Sequence, residues 1–84
     1  MEVIITRTFL KDLRSKPKSA IPAVDELISQ LAAAVSLEKS GVDYKKMEGQ
    51  KSGENYYRLR LVTWRIGIEY QHPKIIVISI LARG

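Results

Sequence analysis

The sequence predicts an α+β domain: an N-terminal strand and a two-helix hairpin packed on one face of a mostly antiparallel sheet of four to five strands. Three observations carry this. Tyr56–Tyr70 alternates apolar and polar residues with period two on both sides of a two-residue break at Val62-Thr63, the mark of a half-buried hairpin. Ile21, Val24, Leu27, Ile28, Leu31 and Val35 form an apolar stripe at helical spacing. Ile75–Leu81 is a continuous, largely β-branched apolar run, which suits a central strand buried on both faces. With 84 residues and no linker or internal repeat, residues 1–84 read as one domain with one modest core.

Taken in order, Glu2–Thr6 is a short β-rich run. Thr6 or Thr8 can cap a first helix through its hydroxyl, with Phe9, Leu10 and Leu13 on its apolar side. Lys16-Pro17 ends that helix, because a residue before proline is pushed out of the helical region. Ser19 is the expected N-cap of the second helix, and Pro22 is tolerable in its first turn. Asp25 and Glu26 suit the positive end of its dipole, and Gly41 is the expected C′ residue. Val42–Met47 is a weaker strand signal, with adjacent Lys45 and Lys46 pointing to opposite faces if extended. Gln50–Asn55 is polar and contains a glycine, so it reads as a loop. The hairpin follows, then a turn at His72-Pro73-Lys74 and the last strand.

Composition narrows the function classes. There is no cysteine, so neither disulfides nor thiolate metal sites are expected. No apolar run approaches the roughly 20 residues that span a bilayer, and the N-terminus lacks the features of a secretion signal. The expectation is a cytoplasmic protein with no membrane association. No dinucleotide, P-loop, HExxH or zinc-ligand spacing occurs, so no cofactor and no metal are expected. The net charge of +5 is unevenly placed. Residues 1–44 balance six basic against six acidic side chains, whereas residues 45–84 carry eight against three. A basic half that coincides with the sheet suggests a polyanionic partner.

With Val62-Thr63 as the hairpin loop, Leu61 faces Trp64, Arg60 faces Arg65, Leu59 faces Ile66 and Arg58 faces Gly67. Every apolar pair then shares one face and Arg58, Arg60 and Arg65 crowd the other. Like charges directly opposed across strands are destabilising, so an anion is a natural reason to hold them there. Three guanidinium forks match phosphate oxygens and could stabilise a pentacoordinate phosphate. On pattern alone a solvated, arginine-decorated face fits as well. Tyr56 shares the arginine face and could stack on a base. Glu69 shares it too and reads as a neutralising carboxylate. Trp64, Tyr57 and Tyr70 read as core, and His72 reads as an exposed turn residue.

The run NYYRLRLVTWRIGIEYQHPKIIVISILARG, preceded by a strand, two helices and the KKMEGQ segment, resembles the RelE/ParE superfamily of bacterial toxin–antitoxin toxins, most of all its RelE-like branch. The resemblance covers nearly the whole chain and implies a helical hairpin over a mostly antiparallel sheet. It also implies a toxin that cuts messenger RNA in the ribosomal A site, the ribose 2′-hydroxyl attacking the neighbouring phosphate. By position it implies catalytic roles for Arg58, Arg60, Arg65 and Arg83. Beside them, Lys45, Lys46 and Lys51 of the basic half and Tyr56 on the arginine face are the expected RNA contacts. Arginines at 58 and 60, where the family often has lysines, favour charge stabilisation over proton abstraction. The family commonly continues with a short segment bearing a tyrosine proposed as a catalytic acid. This sequence stops at Gly84 and has no residue in that place. The implied partners are a cognate antitoxin, in a toxin–antitoxin hetero-oligomer, and the ribosome with its mRNA. Two alternatives share the resemblance: a ParE-like, non-enzymatic inhibitor of DNA gyrase, and a degenerate antitoxin-binding domain.

Overall fold

The computed structural model describes residues 1–82. The order is β1 (Glu2–Ile5), α1 (Arg7–Arg14), α2 (Ala20–Ala33), β2 (Tyr44–Lys46), β3 (Tyr56–Leu61), β4 (Trp64–Gln71) and β5 (Lys74–Ala82). The five strands make one sheet in the order β1-β5-β4-β3-β2. Only β1 and β5 pair in parallel; the other neighbours are antiparallel. The sheet is therefore mixed, and both helices cover the same face of it.

Alternation decides which residues meet the helices. Leu59 from β3, Ile66 and Ile68 from β4, and Ile75, Val77 and Ile80 from β5 are all buried against Phe9 of α1 and Val24, Leu27 and Leu31 of α2. Tyr57, Trp64 and Tyr70 pack on the same side, as expected of core aromatics. The hairpin register is the expected one throughout, with Arg60 opposite Arg65 and Arg58 opposite Gly67. Thr6 caps α1: its Oγ1 accepts the Phe9 N–H at 3.1 Å and donates to the Val77 carbonyl at 2.8 Å, tying the helix start to β5.

Four expectations change. Ser19 stands at the start of α2 in a helical conformation and makes no side-chain cap; backbone bonds from Ala20 and Ile21 to the Pro17 and Lys18 carbonyls open the helix instead. Helix α2 stops at Ala33, because Ala34 is extended and the Met1 amino group donates to the Leu31, Ala32 and Ala34 carbonyls. A cation at that end also suits the helix dipole. Val35 is therefore outside the helix and 74% exposed, and Ile21, at 46%, is off the buried stripe. Gly41 is not a helix cap. It takes φ +78° within the loop that follows, where a side chain would also press on Gln30 Nε2.

The fourth change bears on function. β5 lies between β1 and β4, but only its helix-facing side is covered. Its apolar run, interrupted by Ser79, instead places Ile76, Ile78 and Leu81 on the open face, with Leu81 59% exposed.

The 34–43 loop is held down by Leu37, which is fully buried, and by Tyr70. The Tyr70 hydroxyl accepts the Leu37 N–H at 3.2 Å, donates to Glu38 Oε2 at 3.3 Å and lies 3.2 Å from His72 Nδ1. His72 is an exposed turn residue, as expected, and its ring borders this polar cluster. Burial, together with the neighbouring Glu38 carboxylate, pushes the Tyr70 hydroxyl above its ordinary value of 10.0. Folding thus holds this proton to a higher pH than the unfolded chain does. Stability from this group is complete below pH 10 and falls as pH rises through the folded value. Tyr70→Phe should flatten that alkaline limb in urea-melt stabilities measured against pH. At neutral pH it should cost about 1–3 kcal/mol, because the Leu37 N–H is left unpaired.

Candidate nucleic-acid interface

The face of the sheet opposite the helices is built by Lys45 of β2, Tyr56, Arg58 and Arg60 of β3, Arg65, Gly67 and Glu69 of β4, and the outward residues of β5. Two concavities lie on it. One, of about 230 Å³, is lined by Asp43, Tyr44, Lys45, Arg58, Leu59, Arg60 and Arg65. The other, of about 530 Å³, is lined by the loop Met47–Gln50, by Glu54, Tyr56, Arg58, Arg65 and Gly67, and by Ile68, Ile78, Ser79, Leu81 and Ala82. Arg58 and Arg65 line both, so they form the ridge between them.

Local backbone explains the larger cleft. Gly67 pairs with Ser79 and Ile68 with Val77, which leaves Ile78 as an extra residue on β5. Such a bulge bends the strand and increases its twist. A Cβ at residue 67 would stand 2.5 Å from Ser79 Oγ, so any larger residue there would have to turn that hydroxyl aside. Without a side chain there, the floor between Arg58 and β5 stays open. The loop wall is held by Gln50, whose amide donates to the Met47 and Tyr56 carbonyls at 2.7 and 2.8 Å and accepts the Tyr56 N–H at 2.7 Å. A stretch whose composition reads as a plain loop is in fact stapled to β3.

Electrostatics separate the three arginines. Arg60 pairs with Asp43, Nε to Oδ2 at 3.6 Å, with both side chains about 60% exposed. That carboxylate relieves part of the Arg60–Arg65 repulsion. Arg58, Arg65 and Lys45 have no ion pair among the described residues, and they are the cations free for an external anion. Glu69 is not within ion-pairing distance of an arginine, so its expected neutralising role falls to Asp43.

Of the candidate site residues, Arg58, Arg60, Arg65, Lys45 and Tyr56 share the open face. Lys46 does not: it pairs with Tyr57 and belongs to the helix-facing side, because alternation sends neighbours to opposite faces. Lys51 is exposed in the stapled loop and lines neither cleft. Arg83 lies outside the described residues. Sequence reasoning missed Asp43, Gln50, Glu48 and Glu54. The signal it could have used was Gly67, since a glycine inside a strand marks a bulge or a close approach.

Two helices on one face of a mixed five-stranded sheet, with an open basic face opposite, define a small α+β domain whose free side suits an anionic partner. The chain superposes on a chain of a RelB–RelE antitoxin–toxin complex from Methanococcus jannaschii with a TM-score of 0.78 and 32% identity, over 95% of this chain and 89% of that one. An archaeal RelE–RelB complex from Pyrococcus horikoshii OT3 gives 0.75 and 25%, over 99% and 94%. The RelBE2 toxin–antitoxin complex of Mycobacterium tuberculosis shares the fold, with a TM-score of 0.68 at 18% identity over 98% and 96%. In sequence the chain is 35% identical over 83 residues to Toxin RelE3 of Methanocaldococcus jannaschii, covering 99% of this chain and 91% of that protein. No protein-family model matches. The chain belongs to the RelE family of toxins.

Proposed function

We propose that this toxin is a ribosome-dependent endoribonuclease, cutting mRNA in the A site, and that a cognate antitoxin restrains it. The observation that carries this reading is the pair Arg58 and Arg65, without an ion pair among the described residues and set on the ridge between two clefts of an uncovered sheet face. In the reaction the ribose 2′-oxygen bonds to the adjacent phosphorus and the bond to the 5′-oxygen breaks. The products are a 2′,3′-cyclic phosphate and a 5′-hydroxyl. Charge grows on the non-bridging oxygens, where two guanidiniums can each offer parallel N–H donors. Arginine keeps its proton at any working pH, so the 2′ proton leaves to solvent water and the departing 5′-oxygen takes one from it. Its share of the rate is positional and electrostatic. The ribosome, in this reading, presents the mRNA in line for attack.

The antitoxin is supported by two solved relatives, both of them toxin–antitoxin complexes. A sheet with an uncovered basic face and free edges at β1 and β2 can accept an added acidic helix or strand.

Primer extension on an mRNA in a reconstituted translation reaction tests the proposal. Purified toxin should produce new 5′ ends within translated codons, and none on the same mRNA without ribosomes. Intact translated mRNA at toxin equimolar with ribosomes would refute it. Loss of gyrase supercoiling under the same conditions would move the chain to the gyrase-inhibitor reading.

A further inference from the structure

The larger cleft holds more than a phosphate needs. A phosphate site would be polar throughout, yet beside Arg58 and Arg65 this one is floored by Gly67, Ile78 and Leu81 and flanked by the Tyr56 side chain. Its volume of about 530 Å³ falls in the range of small-ligand pockets. Its remaining polar groups are not cationic. Gln50 has both ends of its amide committed to backbone, so it is wall and not reader. Glu54 is half-buried and held by the Lys51 N–H on Oε1 at 3.0 Å, while its Oε2 has no hydrogen bond among the described residues. A carboxylate with one open oxygen, at the rim of an apolar slot beside an arginine pair and near the second lining carboxylate Glu48, is poorly suited to phosphate and well suited to a hydrogen-bond donor.

From this we infer that the cleft is a pocket for one unstacked nucleobase carrying an exocyclic amine. The base lies on the apolar floor beside Tyr56, its phosphate is held by Arg58 and Arg65, and Glu54 accepts a hydrogen bond from the amine. Unstacked bases are commonly read this way, by aromatic contact and by their Watson–Crick edge, and a carboxylate accepting from the cytosine 4-amine is a known pairing. Uracil is disfavoured, because its one ring donor is flanked by two carbonyl oxygens that the carboxylate repels. The inference rests on the RNA-cleaving reading and adds to it a substrate preference set by the toxin itself.

Cytidine and uridine 5′-monophosphates are a matched pair of probes, sharing phosphate and ribose and differing at the reading edge. Amide chemical shifts of the intact protein followed through titration with each nucleotide test the pocket. The cytidine nucleotide should bind about tenfold more tightly and move the amides of Tyr56, Gly67 and Ser79. Glu54→Gln should bring the two affinities within about twofold, while Arg65→Ala should weaken both by one common factor. Equal affinities in the unaltered protein, shifts confined to Arg58 and Arg65, or a preference that survives Glu54→Gln would each overturn the pocket. An octaribonucleotide titrated at low and physiological salt separates the two levels of the argument. Salt-sensitive RNA binding without nucleotide discrimination removes the pocket alone, whereas no RNA binding removes the RNA reading with it.

Discussion

Cleavage of translated mRNA is expected to fall about 10²–10³-fold in Arg65→Ala, the loss typical of removing one preorganised donor from a developing oxyanion. Arg58→Ala should do the same, and the double variant should cost less than the product of the two, because both act on one phosphate. Arg60→Ala is the internal control. Its guanidinium already pairs with Asp43, lines only the smaller cleft and is well exposed, so its loss should cost no more than about fivefold, within the range of a screened surface charge. Arg65→Lys keeps the charge but loses the planar fork, and should fall between the unaltered protein and Arg65→Ala. Rates of 5′-end formation under single-turnover conditions measure all five variants. A melting temperature within a few degrees of the unaltered protein for Arg65→Ala would show that the loss is not structural, since the β4 backbone ladder is unchanged by the substitution. Equal rates for Arg65→Ala and Arg60→Ala would sink the division of labour among the arginines.

That division could not be read from the chain alone, although the face itself could. Alternation and a two-residue turn were enough to place Arg58, Arg60 and Arg65 together and Leu59, Ile66 and Ile68 beneath them, because strand side chains have period two and the turn length sets the register. What alternation lacks is knowledge of partners from other segments. Asp43 reaches Arg60 from the loop before β2, a contact that depends on how β2 docks beside β3. Gln50 is six residues from Tyr56 in sequence and yet completes the β3 edge as a missing strand would. Local propensity has no term for such a side chain.

The error over β5 has a related cause. An unbroken apolar run is consistent with burial on both faces, but it says nothing of which layers exist to do the burying. Here one layer of helices exists. Ile78 and Leu81 are apolar without being core, and they form the floor of the larger cleft. The boundaries of α2 were misjudged for another tertiary reason. Its C-terminal carbonyls are satisfied by the Met1 amino group, which is remote in sequence, and not by a glycine cap. Resemblance to a toxin family carried the candidate site further than pattern could; the basic charge of the sheet half, taken alone, put Lys46 among the RNA contacts, where strand alternation turns it to the opposite face from Lys45.

The largest loss of stability is expected from Phe9→Ala. α1 spans eight residues, too few to persist in water without tertiary support, and Phe9 is its one fully buried side chain. The ring fills the space between α1 and β5, so truncation forfeits transfer energy and leaves a cavity, about 3–5 kcal/mol in sum. A domain of this size has a total stability of about 4–13 kcal/mol, so the variant should lose a large share of it. Its melting temperature should drop by at least about 12 °C. Leu10→Ala, one residue along the same helix but 45% exposed, should cost under about 1 kcal/mol, and far-UV circular dichroism melts of the two variants make the comparison. A second consequence follows from where β5 sits. Its helix-facing residues Ile75 and Val77 rest in the core that Phe9 completes, while Ile78 and Leu81 on its other side floor the cleft. Loosening α1 should therefore raise hydrogen exchange along β5, at Ile78 and Ser79, before it does so in β3. A greater cost for Leu10→Ala than for Phe9→Ala would show that α1 is rotated from the orientation described, and the coupling between the two faces of β5 would fall with it.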